Sequence, residues 1–145
     1  TEDDLAGIAK STRLIHSMID KIVEEDGIPP ESILVGGFSQ GAVTSVPVVY
    51  SYPKRLAGCL MLSGWVPDRK NMKIGSANQE TPLFWGHGVE DEVALLSCQG
   101  AGAEALTEKG VAVEAKEYAG VGHDSNEEEF DDILVFVKKV LGTSD

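Results

Sequence analysis

The chain has 145 residues, 12 basic against 24 acidic side chains, a formal net charge of −12 and a hydrophobic fraction of 42%. That is the size and composition of a single soluble domain, with residues enough for a core but short for a large enzyme fold. The acidic balance, with only Lys54-Arg55, Arg69-Lys70 and Lys138-Lys139 as basic pairs, argues against nucleic acid and anionic membranes as partners.

Residues 3–25 carry Leu5, Ile8, Ala9, Ile15, Met18, Ile19, Ile22 and Val23 at three- and four-residue spacing, which predicts an amphipathic helix. Gly27 ends it, and Pro29-Pro30 prevent its resumption. Residues 32–38 read as a short strand buried on both faces. A helix over 40–51 follows, with Pro47 removing one backbone hydrogen bond and predicting a bend. Residues 58–63 read as a second buried strand, 64–81 as a polar loop and 82–87 as a third strand. A helix over 93–109 turns Val93, Leu96, Ala103 and Leu106 inward and stops at Gly110. Val111, Val113 and Ala115 then alternate with polar neighbours, as in a half-exposed fourth strand. In the last helix Phe130, Ile133, Leu134, Val137 and Leu141 form the apolar face. Glu127, Glu128 and Glu129 in its first turn and Lys138-Lys139 in its last complement the helix dipole, and Gly142 closes it. The acidic run therefore reads as helix-start chemistry rather than a metal site.

Alternating strands and helices joined by short connections predict an α/β fold with a parallel sheet. Ligands in such sheets bind beyond the carboxyl ends of the strands. No apolar run is long enough to span a bilayer, and no secretory leader is visible at the start, so a cytoplasmic location is expected. Cys59 and Cys98 do not make a disulfide framework, which fits a reducing compartment.

Three strand ends carry chemistry. Gly37-Phe38-Ser39-Gln40-Gly41 is a G-x-S-x-G sequence between a strand and a helix. The serine of such a turn is lifted above the sheet, and side chains at Gly37 or Gly41 are expected to collide with neighbouring chain. The N–H of Gln40 faces the oxyanion that develops when Ser39 attacks a carbonyl. A serine needs a base. His16 lies in the first helix, away from any strand end, whereas His123 follows the fourth strand among glycines and is the candidate base. The orienting acid falls in Glu90-Asp91-Glu92, with Asp91 preferred and the two glutamates as rivals whose like charges tend to raise its pKa. Ser39, Asp91, His123 is the nucleophile, acid, base order of α/β-hydrolases, and His87, preceding the acid, fails it.

At these residues the chain resembles the acyl-protein thioesterase/carboxylesterase (phospholipase/carboxylesterase) family of α/β-hydrolases. The likeness runs over nearly the whole chain, from the segment that starts at Glu2-Asp3-Asp4-Leu5. It continues through Gly36-Gly37-Phe38-Ser39-Gln40-Gly41-Ala42, Leu62-Ser63-Gly64-Trp65-Val66-Pro67 and Gly86-His87-Gly88-Val89-Glu90-Asp91-Glu92-Val93. It ends at Tyr118 and Gly122-His123. Here the aspartate aligns with Asp91. Val89 replaces a family aspartate, the segment after Asp91 lacks the family's proline, and Ala42 replaces a common glycine. Thr1 falls after the position where the family's early strands and a second oxyanion loop would lie.

The resemblance implies a three-layer α/β-hydrolase-type parallel sheet with flanking helices, lacking the N-terminal strands, formed by residues 1–145 as one partial domain. It implies hydrolysis of acyl thioesters or carboxylic esters, with acylated proteins, lysophospholipids or small esters as substrates. No metal and no organic cofactor is implied. Trp65 and Val66 fall where the family lines its acyl-binding groove. The strand bearing Ser39 becomes a sheet edge, which invites self-association. The alternative is a catalytically silent fragment or acyl-binding module, because the N-terminal oxyanion loop is not part of the sequence.

Overall fold

The computed structural model describes residues 3–142, so Glu2, in the family-like opening segment, lies outside the described residues. The elements are α1 (Leu5–Glu25), β1 (Leu34–Phe38), α2 (Gln40–Ser51), β2 (Gly58–Leu62), β3 (Leu83–Gly88), α3 (Leu96–Glu108), β4 (Val113–Tyr118) and α4 (Glu127–Leu141). The four strands form one parallel sheet in the order β1-β2-β3-β4. Parallel strands cannot join by tight turns, so each connection crosses the sheet and returns the chain to the same end. All four carboxyl ends therefore share one rim.

Because side chains alternate along a strand, each strand serves two layers. On one face Cys59, Met61, Leu83 and Trp85 meet Ala42, Val46 and Val49 of α2 and Leu106 of α3, and Ile19 brings α1 into the same core. On the other face Phe84 packs on Phe136 of α4, ring centroids 5.6 Å apart. The expected three layers are present. Asn126 caps α4 by accepting the N–H of Glu129, and Gly142 ends it at φ +72°. The helix α2 runs through Pro47 to Ser51.

Several local expectations are corrected. The first strand begins at Leu34, after a 3-10 turn at Pro30–Ser32 initiated by the proline pair, and it is not buried on both faces. Among the described residues it pairs only with β2, and Gly36 and Phe38 are exposed. Residues 93–95 are not helical: α3 starts at Leu96, and Val93 points outward at 67% exposure. The inward face of α4 is built by Glu129, Phe136 and their neighbours, while Phe130 and Leu134 are exposed at 61% and 53%. Ala115 is exposed. Glu127 and Glu128 do form a solvated first turn, but Glu129 is buried at 1% exposure.

Candidate active site

Ser39 follows the last residue of β1 and immediately precedes α2. Its backbone has φ 56° and ψ −117°, a left-handed region that L-residues rarely occupy. Such a conformation costs about 1–3 kcal/mol and persists only where surrounding structure holds it. Here the Ser39 N–H donates to the Leu62 carbonyl (2.8 Å) and the Ser39 carbonyl accepts from the Val43 N–H (3.1 Å). The turn is tight because Gly37 and Gly41 approach closely. A Cβ on Gly37 would lie 2.3 Å from the Gly41 carbonyl carbon, whereas a Cβ on Gly41 would meet nothing within 4 Å. The steric requirement expected at both glycines thus falls on Gly37 alone.

The three predicted side chains meet above this rim. His123 Nε2 lies 2.8 Å from Ser39 Oγ, and His123 Nδ1 lies 2.8 Å from Asp91 Oδ2. Since a carboxylate only accepts, the neutral ring carries its hydrogen on Nδ1 and leaves Nε2 free to accept the serine hydroxyl. Asp91 Oδ1 accepts the N–H groups of Val93 (2.9 Å) and Ala94 (2.8 Å). Burial pushes the Asp91 carboxyl up, but the hydrogen bond from His123 and the amides of Ala94 and Val93 outweigh it. The result lies below the usual aspartate value. Glu90 and Glu92, the rival acids, face solvent.

Gln40 is the first residue of α2, so its N–H has no carbonyl partner within the helix and sits at the positive end of the helix dipole. Trp65 follows Gly64, where a Cβ would lie 3.0 Å from the Ser39 carbonyl oxygen. The Trp65 indole donates to Asp3 Oδ1 (2.9 Å), and Asp3 Oδ2 accepts the Asp68 N–H (2.9 Å). Trp65 and the buried Val66 line a cavity of about 520 Å³ together with Val93, Ala94, Leu95 and Cys98. The triad residues and Gln40 do not line this cavity; it adjoins them through Gly64 and through the turn that Asp91 holds. A larger recess of about 610 Å³ lies beside Arg69, Lys70 and α3 and contains no predicted site residue.

Sequence reasoning missed Phe38, whose ring lies 5.0 Å from that of His123, and the turn residues Val93 and Leu95. The place of Phe38 next to Ser39 in the chain is the available signal. His16 is a half-buried helix residue whose ring nitrogen meets the Val48 carbonyl at 2.8 Å. His87 does not reach Ser39's proton acceptor role but lies behind Asp91, Nε2 to Oδ2 3.7 Å. Among the described residues, no group of three or more His, Cys, Asp or Glu is arranged to hold a metal ion, and no helix is long and apolar enough to cross a membrane.

Comparison with known proteins extends this geometry. The phospholipase/carboxylesterase family profile matches residues 1–141. A probable carboxylesterase of Oryza sativa subsp. japonica is 39% identical over 145 residues, which cover 99% of this chain and 54% of the relative. Acyl-protein thioesterase 1 homolog 1 of Dictyostelium discoideum is 36% identical over 141 residues, 97% of this chain and 62% of the relative. The crystal structure of Arabidopsis thaliana SOBER1 superposes with a TM-score of 0.89 at 31% identity, covering 97% of this chain and 67% of that one. The chain thus spans 54% and 62% of the length of these two curated relatives. Over the shared part the sequences are alike and the backbone superposes on that of SOBER1, and the chain belongs to the phospholipase/carboxylesterase family.

Proposed function

We propose that the chain is a serine acyl hydrolase that cleaves acyl thioesters or carboxylic esters through Ser39, His123 and Asp91. The observation that carries this reading is the continuous pair of 2.8 Å contacts from Ser39 Oγ through His123 to Asp91. Ser39 Oγ attacks the acyl carbonyl carbon while His123 Nε2 takes the hydroxyl proton. The oxyanion of the tetrahedral intermediate accepts from the Gln40 N–H. Collapse breaks the bond to the leaving thiol or alcohol, which receives the proton from His123. Water, deprotonated by His123, then releases the acid and restores Ser39. Asp91 holds the His123 tautomer and stabilises the imidazolium.

The substrate class follows from the apolar walls beside the site. Trp65, Val66, Val93 and Leu95 suit an acyl chain, and the relatives named acyl-protein thioesterase and carboxylesterase support acylated proteins or small acyl esters. A thiolate leaves with little protonation, so thioesters depend less than oxygen esters on the acid role of His123. A cytoplasmic setting agrees with the two free cysteines, Cys59 and Cys98.

Reaction with a fluorophosphonate, followed by peptide mass spectrometry, tests the reading. An adduct on Ser39, lost in Ser39→Ala and His123→Ala, is the expected result. A folded chain that binds an acyl chain yet yields no adduct would favour the silent acyl-binding module instead.

A further inference from the structure

We propose that His87 is a positioning residue of this site: its Nε2–H, held by the Ala94 carbonyl, lies close to the Asp91 oxygen that binds His123 and so sets how strongly Asp91 draws on the His123 ring. His87 is fully buried near the end of β3. Its Nε2 lies 2.5 Å from the Ala94 carbonyl oxygen. A carbonyl only accepts, so Nε2 carries the hydrogen. The same nitrogen lies 3.7 Å from Asp91 Oδ2, too far for a hydrogen bond but close for a dipole acting on a charge away from water.

The other ring nitrogen, Nδ1, is buried with no hydrogen-bond partner among the described residues. In the neutral ring that leaves one bare lone pair, whereas a protonated ring would bury an unpaired N–H and a charge as well. The geometry therefore favours a neutral His87 whose Nε2 hydrogen is given to the Ala94 carbonyl, with that nitrogen 3.7 Å from Asp91 Oδ2. Ala94 closes the arrangement, giving its N–H to Asp91 Oδ1 and its carbonyl to His87. Asp91 Oδ2 thus sits between two imidazoles, at 2.8 Å from His123 and 3.7 Å from His87.

The charged groups around the pair come from three elements. Asp91 belongs to the turn after β3, and Asp124 neighbours His123 on the loop after β4. Glu129 belongs to α4, where burial raises its carboxyl while the Ser125 hydroxyl opposes the rise. The positive end of the His87 N–H bond makes the potential that His123 feels from Oδ2 less negative. Removing it makes the His123 ring more basic.

The coupling is measured without turnover, by NMR titration of the His123 ring in the full 145-residue chain. In His87→Leu the His123 midpoint rises, with an acid constant changed about threefold or more. In His87→Gln, whose side-chain amide returns an N–H near the position of Nε2, the midpoint returns toward the native value. An unmoved midpoint in a folded His87→Leu chain, or Gln shifting it as far as Leu, overturns the proposal. The ring nitrogen shifts of native His87 decide the case even if Leu prevents folding: Nε2–H with bare Nδ1 supports it, and any other protonation pattern overturns it. The consequence for catalysis rests on the acyl-hydrolase reading, in which the acid limb of kcat/KM moves upward with the same midpoint. An NMR shift without native turnover would defeat that reading and leave the His87 coupling standing.

Discussion

Gly37 and Gly41 are packed main chain against main chain, with no room on the Gly37 side for even one methyl group. Only Gly37 carries this restriction, because the Cβ position of Gly41 opens on free space. Gly37→Ala is expected to lower stability by about 2–3 kcal/mol, the cost of overpacking a rigid contact. Gly41→Ala is expected to stay within about 0.5 kcal/mol of the native chain. Urea unfolding of both variants checks the pair, and equal losses would contradict the turn geometry.

Replacing Asp91 by Asn removes a carboxylate that accepts three N–H groups. The amide nitrogen cannot accept from His123 Nδ1, and the ring is free to take the wrong tautomer. Ester hydrolysis is expected to fall about 10³–10⁴-fold. Initial rates with a chromogenic short-chain ester measure this, and a loss below tenfold would remove Asp91 from its assigned role.

The same carboxylate links stability to pH. Its value in the folded chain is depressed, so its contribution is fully present above the ordinary aspartate value of about 3.9. That contribution disappears as pH falls through the lower folded value. Asp91→Asn removes this sensitivity, so acid melting curves of native and variant chains converge. Curves that stay parallel below pH ~4 would speak against it.

Glu129 has the opposite sign. Its folded value is raised, chiefly by burial, with the Ser125 hydroxyl opposing the rise. Below the ordinary glutamate value of about 4.3 the group is protonated in both states and costs nothing. As pH rises toward the folded value the unfolded chain ionises first, and stability drops; above it the loss is constant. Relative to Glu129→Gln, the native chain is therefore expected to lose thermal stability between mildly acidic and neutral pH. Melting temperatures recorded across that range decide the matter, and a constant difference would refute it.

The β1 edge gives an assembly prediction. Among the described residues β1 pairs on one side only, and Phe38 beside it is 46% exposed. An unprotected parallel edge is a template for another strand. Light scattering over a hundredfold concentration range is expected to show rising molar mass, and slowed amide exchange in β1 at the high end. A constant monomer mass throughout would dismiss the idea.

Much of this site was legible because its signals are local. Gly37 and Gly41 on either side of Ser39, the glycines before His123 and the acid after the third strand each announce a strand end. Parallel topology then brings all strand ends to one rim. The exposure of β1 is not legible, because Ile33, Leu34 and Val35 are apolar whichever neighbours they have, and composition does not say which strands flank them. The inward face of α4 is hidden from the sequence because Glu129 and Phe136 share it, and periodicity of apolar residues alone cannot count a buried acid. Residues 64–81 read as a polar loop, yet Asn78 is fully buried there. Its side chain serves the Leu56 N–H and the Tyr52 and Lys54 carbonyls, partners more than twenty positions away. Chain order favours His123 over His87 as the candidate base but is blind to a second ring behind the acid.

One carboxylate fastens both the imidazole and the wall of the neighbouring cavity, through the amides of residues 93 and 94. Engineers who wish to reshape what the cavity admits can therefore vary the side chains of Val93 and Leu95 freely, but cannot put proline at 93 or 94. Losing either amide would loosen the clamp on Asp91 and, with it, the alignment of the ring that serves the nucleophile. Under the proposed acyl-hydrolase reading, selectivity and turnover share a fastening, and libraries built around that turn should screen for both together.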